Sequence, residues 1–392
     1  MEPTNDTTIR SVGSAVSQQK NILVGTHRVC TAEETLSRIL PFLSSAGITR
    51  VAEVTQLDCI GIPVYQAIRP TSRTLSVSQG KGVTKELAKV SAIMESLETW
   101  HAENPILPSV RVEIGEMAPI LPYSVYNLNL VKNHLLHDAL SIDWFQGNLL
   151  GSSDTVYIPK EYINLDITVK DQWLLPTFFS SSNGLASGNV KEEAILHGLY
   201  EVIERDALTR AAMGEVQRIS VDPRTVNAAA SGPLIEQLYR ADISLEILYL
   251  PGPTGIPCFT VDIHSPDYAM PCGGHGCHLD RDVALSRALT EAAQSRLTYI
   301  SGARDDLDVR AYELLQEFIP TSHSAGRRKQ MSFQDIPTMY HPDLATDLRE
   351  VIARVLTVVD VPPIVVDLTR PEFGIPVIFV VVAGLIFGEG VE

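Results

Sequence analysis

Apolar residues recur at helical spacing in four stretches of the chain and in short β-branched runs elsewhere. The first helical stretch is ETLSRILPFL. Thr31 stands where an N-cap belongs, and Glu34, three residues on, completes a capping box. Residues 60–68 form an apolar run that reads as an edge strand, because Pro63 interrupts it and has no N–H for a ladder. Residues 156–158, 244–250, 258–263, 364–367 and 377–382 read as further strands, with Gly and Pro between them. The most apolar segment, 375–387, carries Pro376 and Gly384 near its ends and is shorter than the roughly 20 residues of a membrane span, so a buried strand pair is expected. Helices and strands alternate irregularly, which predicts an α+β fold with mixed sheets.

The other three helical stretches share a polar pattern. One follows SQGKGVTKE and contains SAIMESLE; the next follows SSNGLASGNVKEE and contains HGLYEVIER; the last follows GGHGCHLDRD and contains RALTEAAQ. Each has a polar residue at i, Glu at i+4 and an acid or amide at i+7: Ser91, Glu95, Glu98; His197, Glu201, Glu204; Arg287, Glu291, Gln294. These offsets lie on one helix face. Glu98 falls at the edge of an apolar stripe containing Leu87 and Met94. In the second helix Ile195, Leu199 and Val202 form a core face opposite the acids, as do Leu285, Leu289 and Ala292 in the third. A single E-x-x-E is ordinarily a solvated surface. Three copies at the same offsets, each after a glycine-rich segment, point instead to a converging oxygen-donor set suited to Mg²⁺.

The glycine-rich segments read as loops feeding helix N-termini, with Asn189 and Asp280 as N-caps, an arrangement that presents free N–H groups to phosphate. Lys81 lies in the first such segment, and Arg205 and Arg287 lie among the acids, where they could neutralise phosphate oxygens. Cys272, His275, Cys277 and His278 are spaced too tightly for the usual paired zinc motif, so a glycine-rich turn is expected there instead. Trp100 and His101 end the first acidic helix and read as packing residues.

Composition narrows the partners. The 392 residues carry a formal net charge of -16, which repels a nucleic-acid backbone. Five scattered cysteines form no disulfide framework and no sulfur-carrier motif, so a reducing cytoplasm is expected. Residues 1–20 read as a disordered N-terminus without a signal peptide, 320–335 as a polar, basic loop, and 21–392 as one catalytic domain, with 21–70 as a candidate small subdomain.

On SAIMESLE, on SNGLASGN followed by EVIER, and on RALTEAAQSR, the chain resembles the YcaO superfamily over roughly residues 20–388. The resemblance implies a YcaO-type fold with three glutamate-bearing helices around an ATP and Mg²⁺ site. Such enzymes phosphorylate a peptide amide oxygen. A side chain or a sulfide source acts as the nucleophile, giving an azoline or a thioamide. By position it makes Glu95, Glu98, Glu201, Glu204, Glu291 and Gln294 the metal and ATP acids. Ser91, Asn189, Arg205 and Arg287 become nucleotide contacts, and Arg28 with Thr35 the basic residue and hydroxyl found seven apart in the family. His197 stands where Ser is frequent.

The resemblance also implies a branch. Azoline-forming members typically finish in P-x-P-x-P, whereas this chain reads GLIFGEGVE; RPEFGIPV, GITRVAEVT and IGIPVYQAIRP are similar to the TfuA-associated branch. That branch includes thioamide-forming enzymes and implies a TfuA-like partner that delivers sulfide. The expected partners are therefore a peptide or protein substrate (a small ribosomally made precursor or a large protein) and a TfuA-like protein. No nucleic acid and no membrane are expected, and a homodimer is compatible. The competing readings are an azoline-forming cyclodehydratase, an amidine-forming enzyme, and a non-catalytic scaffold.

Overall fold

The computed structural model describes residues 18–152, 154–169, 175–265, 268–307 and 330–388, with the backbone alone for 268–271. The expected disordered N-terminus up to residue 17, most of the basic 320–335 stretch, and residues 389–392 lie outside them.

In chain order the elements are α1 (Ala32–Ile39), β1 (Arg50–Glu53), β2 (Val64–Ile68), β3 (Val77–Lys81), α2 (Lys85–Glu103), β4 (Ser109–Glu113), α3 (Ile114–Met117), β5 (Ser141–Leu149), β6 (Thr155–Pro159), α4 (Lys160–Ile163), β7 (Leu185–Ser187) and α5 (Lys191–Ala212). They continue with β8 (Ile219–Val221), α6 (Ser231–Arg240), β9 (Ser244–Leu250), β10 (Cys258–Ser265), β11 (Tyr268–Cys277), α7 (Arg281–Ser301), α8 (Leu344–Val355), β12 (Ile364–Asp367) and β13 (Val377–Val381). The fold is α+β, as expected. Among the described residues no helix is long and apolar enough to cross a membrane.

Contacts divide the chain into two units. One comprises Lys20–Leu97 and Arg210–Tyr340. It holds two antiparallel sheets, β1-β2-β3 and β11-β10-β9-β8. Its core joins Ile247, Phe259 and Val261 from the larger sheet to Leu285, Leu289 and Ala292 of α7, the core face read from the sequence. The α1 capping box forms as expected: the Glu34 N–H donates to Thr31 Oγ1 at 3.1 Å and the Thr31 N–H to Glu34 Oε2 at 2.8 Å.

The second unit comprises Met1–Gln19, Glu98–Thr209 and His341–Glu392. A six-stranded sheet, β4-β5-β12-β13-β7 with β6 on β5, carries a core of Trp144, Ile158, Phe178, Val366 and Phe379. Helices α2 and α5 each begin in one unit and end in the other.

Three expectations change. The run 60–68 supplies the central strand of its sheet, not an edge, because β2 starts at Val64 and leaves Pro63 outside the ladder. The 375–387 segment gives one strand, β13, flanked by β12 and β7; beyond it only an isolated Ala383–Leu385 bridge forms. Finally, SQGK and GGHGC are not loops but belong to strands β3 and β11.

The glycines explain that last change. A Cβ on Gly80 would sit 2.0 Å from Ala92 N in α2; on Gly276 it would sit 2.0 Å from Ala284 O, and on Gly274 2.2 Å from Ala288 O, both in α7. Real Cβ contacts are never so short, so these glycines exist to let a strand lie against a helix backbone.

Candidate functional site

Three long helices expose narrow polar stripes between buried runs. In α7 the half-buried positions include Arg287, Glu291 and Gln294, with 288–290 and 292–293 buried. In α2, Ser91, Glu95 and Glu98 reach solvent while 92–94 and 96–97 are buried. The predicted one-face arrangement therefore holds in both. Helix α5 differs in its burial. Buried residues surround it almost completely, its stripe is His197, Glu201 and Arg205, and Glu204 is buried at 7% exposure. Glu204, seven residues from His197, keeps the face of His197 and Glu201 but is buried where they are half-buried.

In the first unit the acids are held from neighbouring strands. The Gln79 N–H of β3 donates to Glu95 Oε1 at 3.5 Å. Two residues on, Lys81 Nζ meets Glu291 Oε2 at 2.5 Å, and the His275 N–H of β11 donates to Glu291 Oε1 at 3.3 Å. Solvent reaches Glu95, yet the protein packed around its carboxyl desolvates it and raises its pKa against the pull of Lys81 and Arg304. Gln294 Oε1 is buried without a hydrogen-bond partner among the described residues.

Asp280 caps α7 as expected, accepting the Asp282 N–H at 2.9 Å. His27 Nε2 lies 3.5 Å from Asp280 Oδ2, and Lys20 Nζ lies 3.2 Å from His27 Nδ1. Burial drives the pKa of His278 well down, and the neighbouring His27, Arg287, Lys20 and Arg28 push it the same way. Arg28 and Arg287 thus share one electropositive neighbourhood. Thr35 is buried, and its hydroxyl donates to Thr31 O within α1 at 2.9 Å.

In the second unit Glu98 Oε1 accepts both the Ser187 N–H, at 2.8 Å, and the Ser187 hydroxyl, at 2.5 Å. Asn189 stands ahead of α5, and its N–H and Nδ2 both donate to Glu193 Oε2, at 2.8 and 3.2 Å. The Arg205 guanidinium lies 5.9 Å from the Phe387 ring centre.

Sequence reasoning missed Ser187, Gln79 and Glu193. For Gln79 no residue-type signal exists, because the bond to the acid comes from its main chain. Ser187 lay within the quoted motif SNGLASGN but looked like an ordinary strand or loop serine.

Cys272, His275 and Cys277 lie on β11 and His278 directly follows it; Cys272 packs in the core with its thiol pushed up to about 12 by burial, and His275 Nδ1 sits 2.9 Å from Thr260 Oγ1. Among the described residues no three His, Cys, Asp or Glu side chains stand together as a ready-made metal cage. Mg²⁺ is usually bound through one or two carboxylates plus phosphates and water. The donors present, carboxylates and the unpartnered Gln294 amide oxygen, are the hard oxygen type it takes.

An α+β fold of antiparallel sheets, with acid-bearing helices laid on glycine strands, defines the class of protein. Residues 79–386 match the family described as YcaO cyclodehydratase, ATP- and Mg²⁺-binding, and the chain belongs to that family. Its cofactors are ATP and Mg²⁺, and family members are ATP-dependent enzymes that modify peptides. A Mycobacterium tuberculosis protein is 37% identical over 369 residues, covering 93% of this chain and 84% of the relative. A Rhizobium leguminosarum bv. trifolii protein from the tfuA 3′ region is 37% identical over 308 residues, covering 74% and 71%. YcaO from Methanopyrus kandleri, solved with AMPPCP and Mg²⁺, shares the fold with TM-score 0.74 and 23% identity, covering 94% of each chain. A heterocyclase solved with substrate and cofactor shares it with TM-score 0.76 and 22% identity, and there this chain spans 54% of the solved chain's length.

Proposed function

We propose that this chain activates a peptide backbone amide with ATP so that external sulfide replaces the amide oxygen, giving a thioamide. The observation that carries the choice of product is the relative encoded beside tfuA, 37% identical over 308 residues. A TfuA-like protein is the proposed partner and sulfide source.

In this proposal Glu95, Glu98, Glu201, Glu204, Glu291 and Gln294 hold Mg²⁺ and with it the nucleotide. When bound, Mg²⁺ neutralises phosphate charge. Ser91, Asn189, Arg28 and Thr35 complete the nucleotide contacts; the Thr35 hydroxyl, now bonded within α1, would contribute only after turning outward. Arg205 and Arg287 stabilise the charge that grows on the phosphoryl oxygens during transfer. Lys81 balances the Glu291 charge until a metal supplies it, because a carboxylate this enclosed needs a counter-charge.

The bonds balance simply. The amide oxygen attacks the γ-phosphorus, and ADP leaves. Sulfide adds to the activated carbon, and inorganic phosphate departs with the former amide oxygen. An amide oxygen is a poor leaving group and its phosphate ester a good one, which is why the reaction needs ATP.

Mass spectrometry of a candidate peptide after incubation with protein, ATP, Mg²⁺ and sulfide, with and without a TfuA homologue, tests the proposal. Thioamide formation adds about 16 Da and azoline formation removes about 18 Da, both through phosphoryl activation. A loss of water that follows a Cys, Ser or Thr in the peptide would replace the thioamide reading with the azoline one.

A further inference from the structure

Strand β3 gives the acids more than its lysine. Gln79 and Lys81 are two residues apart, so their side chains leave the same face of the strand. Both reach α7. Lys81 Nζ meets Glu291 Oε2 at 2.5 Å, and Gln79 Oε1 accepts the Thr298 hydroxyl. Glu291 and Thr298 lie about two turns apart on one face of α7, with Gln294 between them. The Gln79 main chain also donates to Glu95 on α2. Gly80, next to it, lets the strand backbone lie directly on that helix. One residue therefore touches an acid of α2 and the acidic face of α7, from a position 1% exposed.

Packing alone does not account for an amide here. Gln79 Nε2 is buried and lacks a hydrogen-bond partner among the described residues. Such a group costs about 1–3 kcal/mol, which a methionine of similar length would avoid. What the amide supplies is the acceptor for Thr298, and Thr298 is in turn fixed to its helix, its hydroxyl lying 2.9 Å from Gln294 O.

We propose that Gln79 is a positioning residue for nucleotide binding. It sets the spacing of α2 and α7 so that Glu95, Glu291 and Gln294 meet the metal–nucleotide complex together. Gln79 does not itself touch the ligand, since its side chain is closed off from solvent. The inference rests on the nucleotide reading above.

The test is calorimetric titration of the full chain with Mg²⁺ at a fixed concentration of the non-hydrolysable analogue AMPPCP, with melting temperature as a separate readout. Gln79→Met raises the Mg²⁺ concentration for half-saturation about tenfold, the low end for loss of a residue that orients a metal ligand. Thr298→Val does the same, and Thr298→Ser, which keeps the hydroxyl, restores binding. The double variant Gln79→Met with Thr298→Val is no worse than either single change, because both remove one bond. A purely structural role would lower the melting temperature of the variants and leave half-saturation unmoved, and that result overturns the proposal. So do effects of the two changes that multiply. If Gln79→Met fails to fold, the Thr298→Val and Thr298→Ser pair decides. Absence of Mg²⁺-dependent binding by the unaltered chain removes the nucleotide reading and this inference with it; binding there with unaffected variants removes only the role of Gln79.

Discussion

The surroundings of Glu291 and of Glu98 solve one problem in two ways. Both acids sit on helices that carry glycine-strand contacts, and both accept a main-chain N–H from a nearby strand: His275 for Glu291, Ser187 for Glu98. Glu291 also meets a lysine at 2.5 Å, and Glu98 a serine hydroxyl at the same distance. A cation supplies charge that an arriving metal can replace. A hydroxyl supplies orientation and nothing that a metal makes redundant. In the proposed site, Lys81 balances Glu291 before ligand arrives, whereas Ser187 orients Glu98.

The sharpest way to break the comparison uses two arginines, Arg287 of α7 and Arg205 of α5. Arg287→Ala and Arg205→Ala each lower ATP turnover roughly 10²- to 10³-fold, about 3–4 kcal/mol, with far smaller changes in melting temperature. The opposite ranking in a thermal-shift and ATPase comparison makes the residue a structural ion-pair member.

The glycine contacts come next. Gly80→Ala forces a Cβ to within 2.0 Å of Ala92 N, and Gly184→Ala one to within 2.2 Å of Val380 O. Each should cost about 3 kcal/mol or more in urea unfolding. Gly374→Ala, with positive φ but nothing within 4 Å, should cost about 1 kcal/mol. Equal, small losses at all three positions would return the glycines to the role of loop residues.

Replacing the two anchors separates charge from orientation. Lys81→Met loses about 2 kcal/mol of stability in ligand-free protein, between the values for exposed and buried pairs, and Mg²⁺ with AMPPCP restores more of it than it adds to the unaltered chain. Ser187→Ala loses about 1 kcal/mol with no such selective recovery. Equal recovery in both would erase the distinction.

A further effect is on pH dependence. His278 has its pKa held well below the ordinary value, by burial first and then by neighbouring positive groups. The unfolded chain takes up this proton below about pH 6.5 and the folded chain does not, so folding stability falls as pH falls, by up to about 1.4 kcal/mol per unit. His278→Asn should flatten that slope between about pH 6.5 and 5.5 in chemical denaturation. An unchanged slope would assign the dependence to other groups.

Much of this was legible in residue order. The Thr31 capping box, the Asp280 cap, the strand at 364–367 and the one-face stripes of α2 and α7 all follow from local spacing, and they formed as read. What was not legible depended on contacts distant in sequence. GGHGC looks like a loop because glycine carries no β-branched signal, and only the approach of α7 explains it as a strand. The burial of Glu204 was hidden because α5 is enclosed on nearly every side, which no two-face reading anticipates. Main-chain donors to Glu95 and Glu291 leave no trace in residue identity.

The central claim is that the acids of α2, α5 and α7 bind ATP through Mg²⁺. Calorimetry of AMPPCP binding, with and without Mg²⁺, to the unaltered chain and to Glu201→Ala and Glu204→Ala tests it most directly. The account predicts Mg²⁺-dependent binding that weakens at least about tenfold in each variant, a loss of about 1.4 kcal/mol, while the variants stay folded. Unchanged affinity in both folded variants would contradict it.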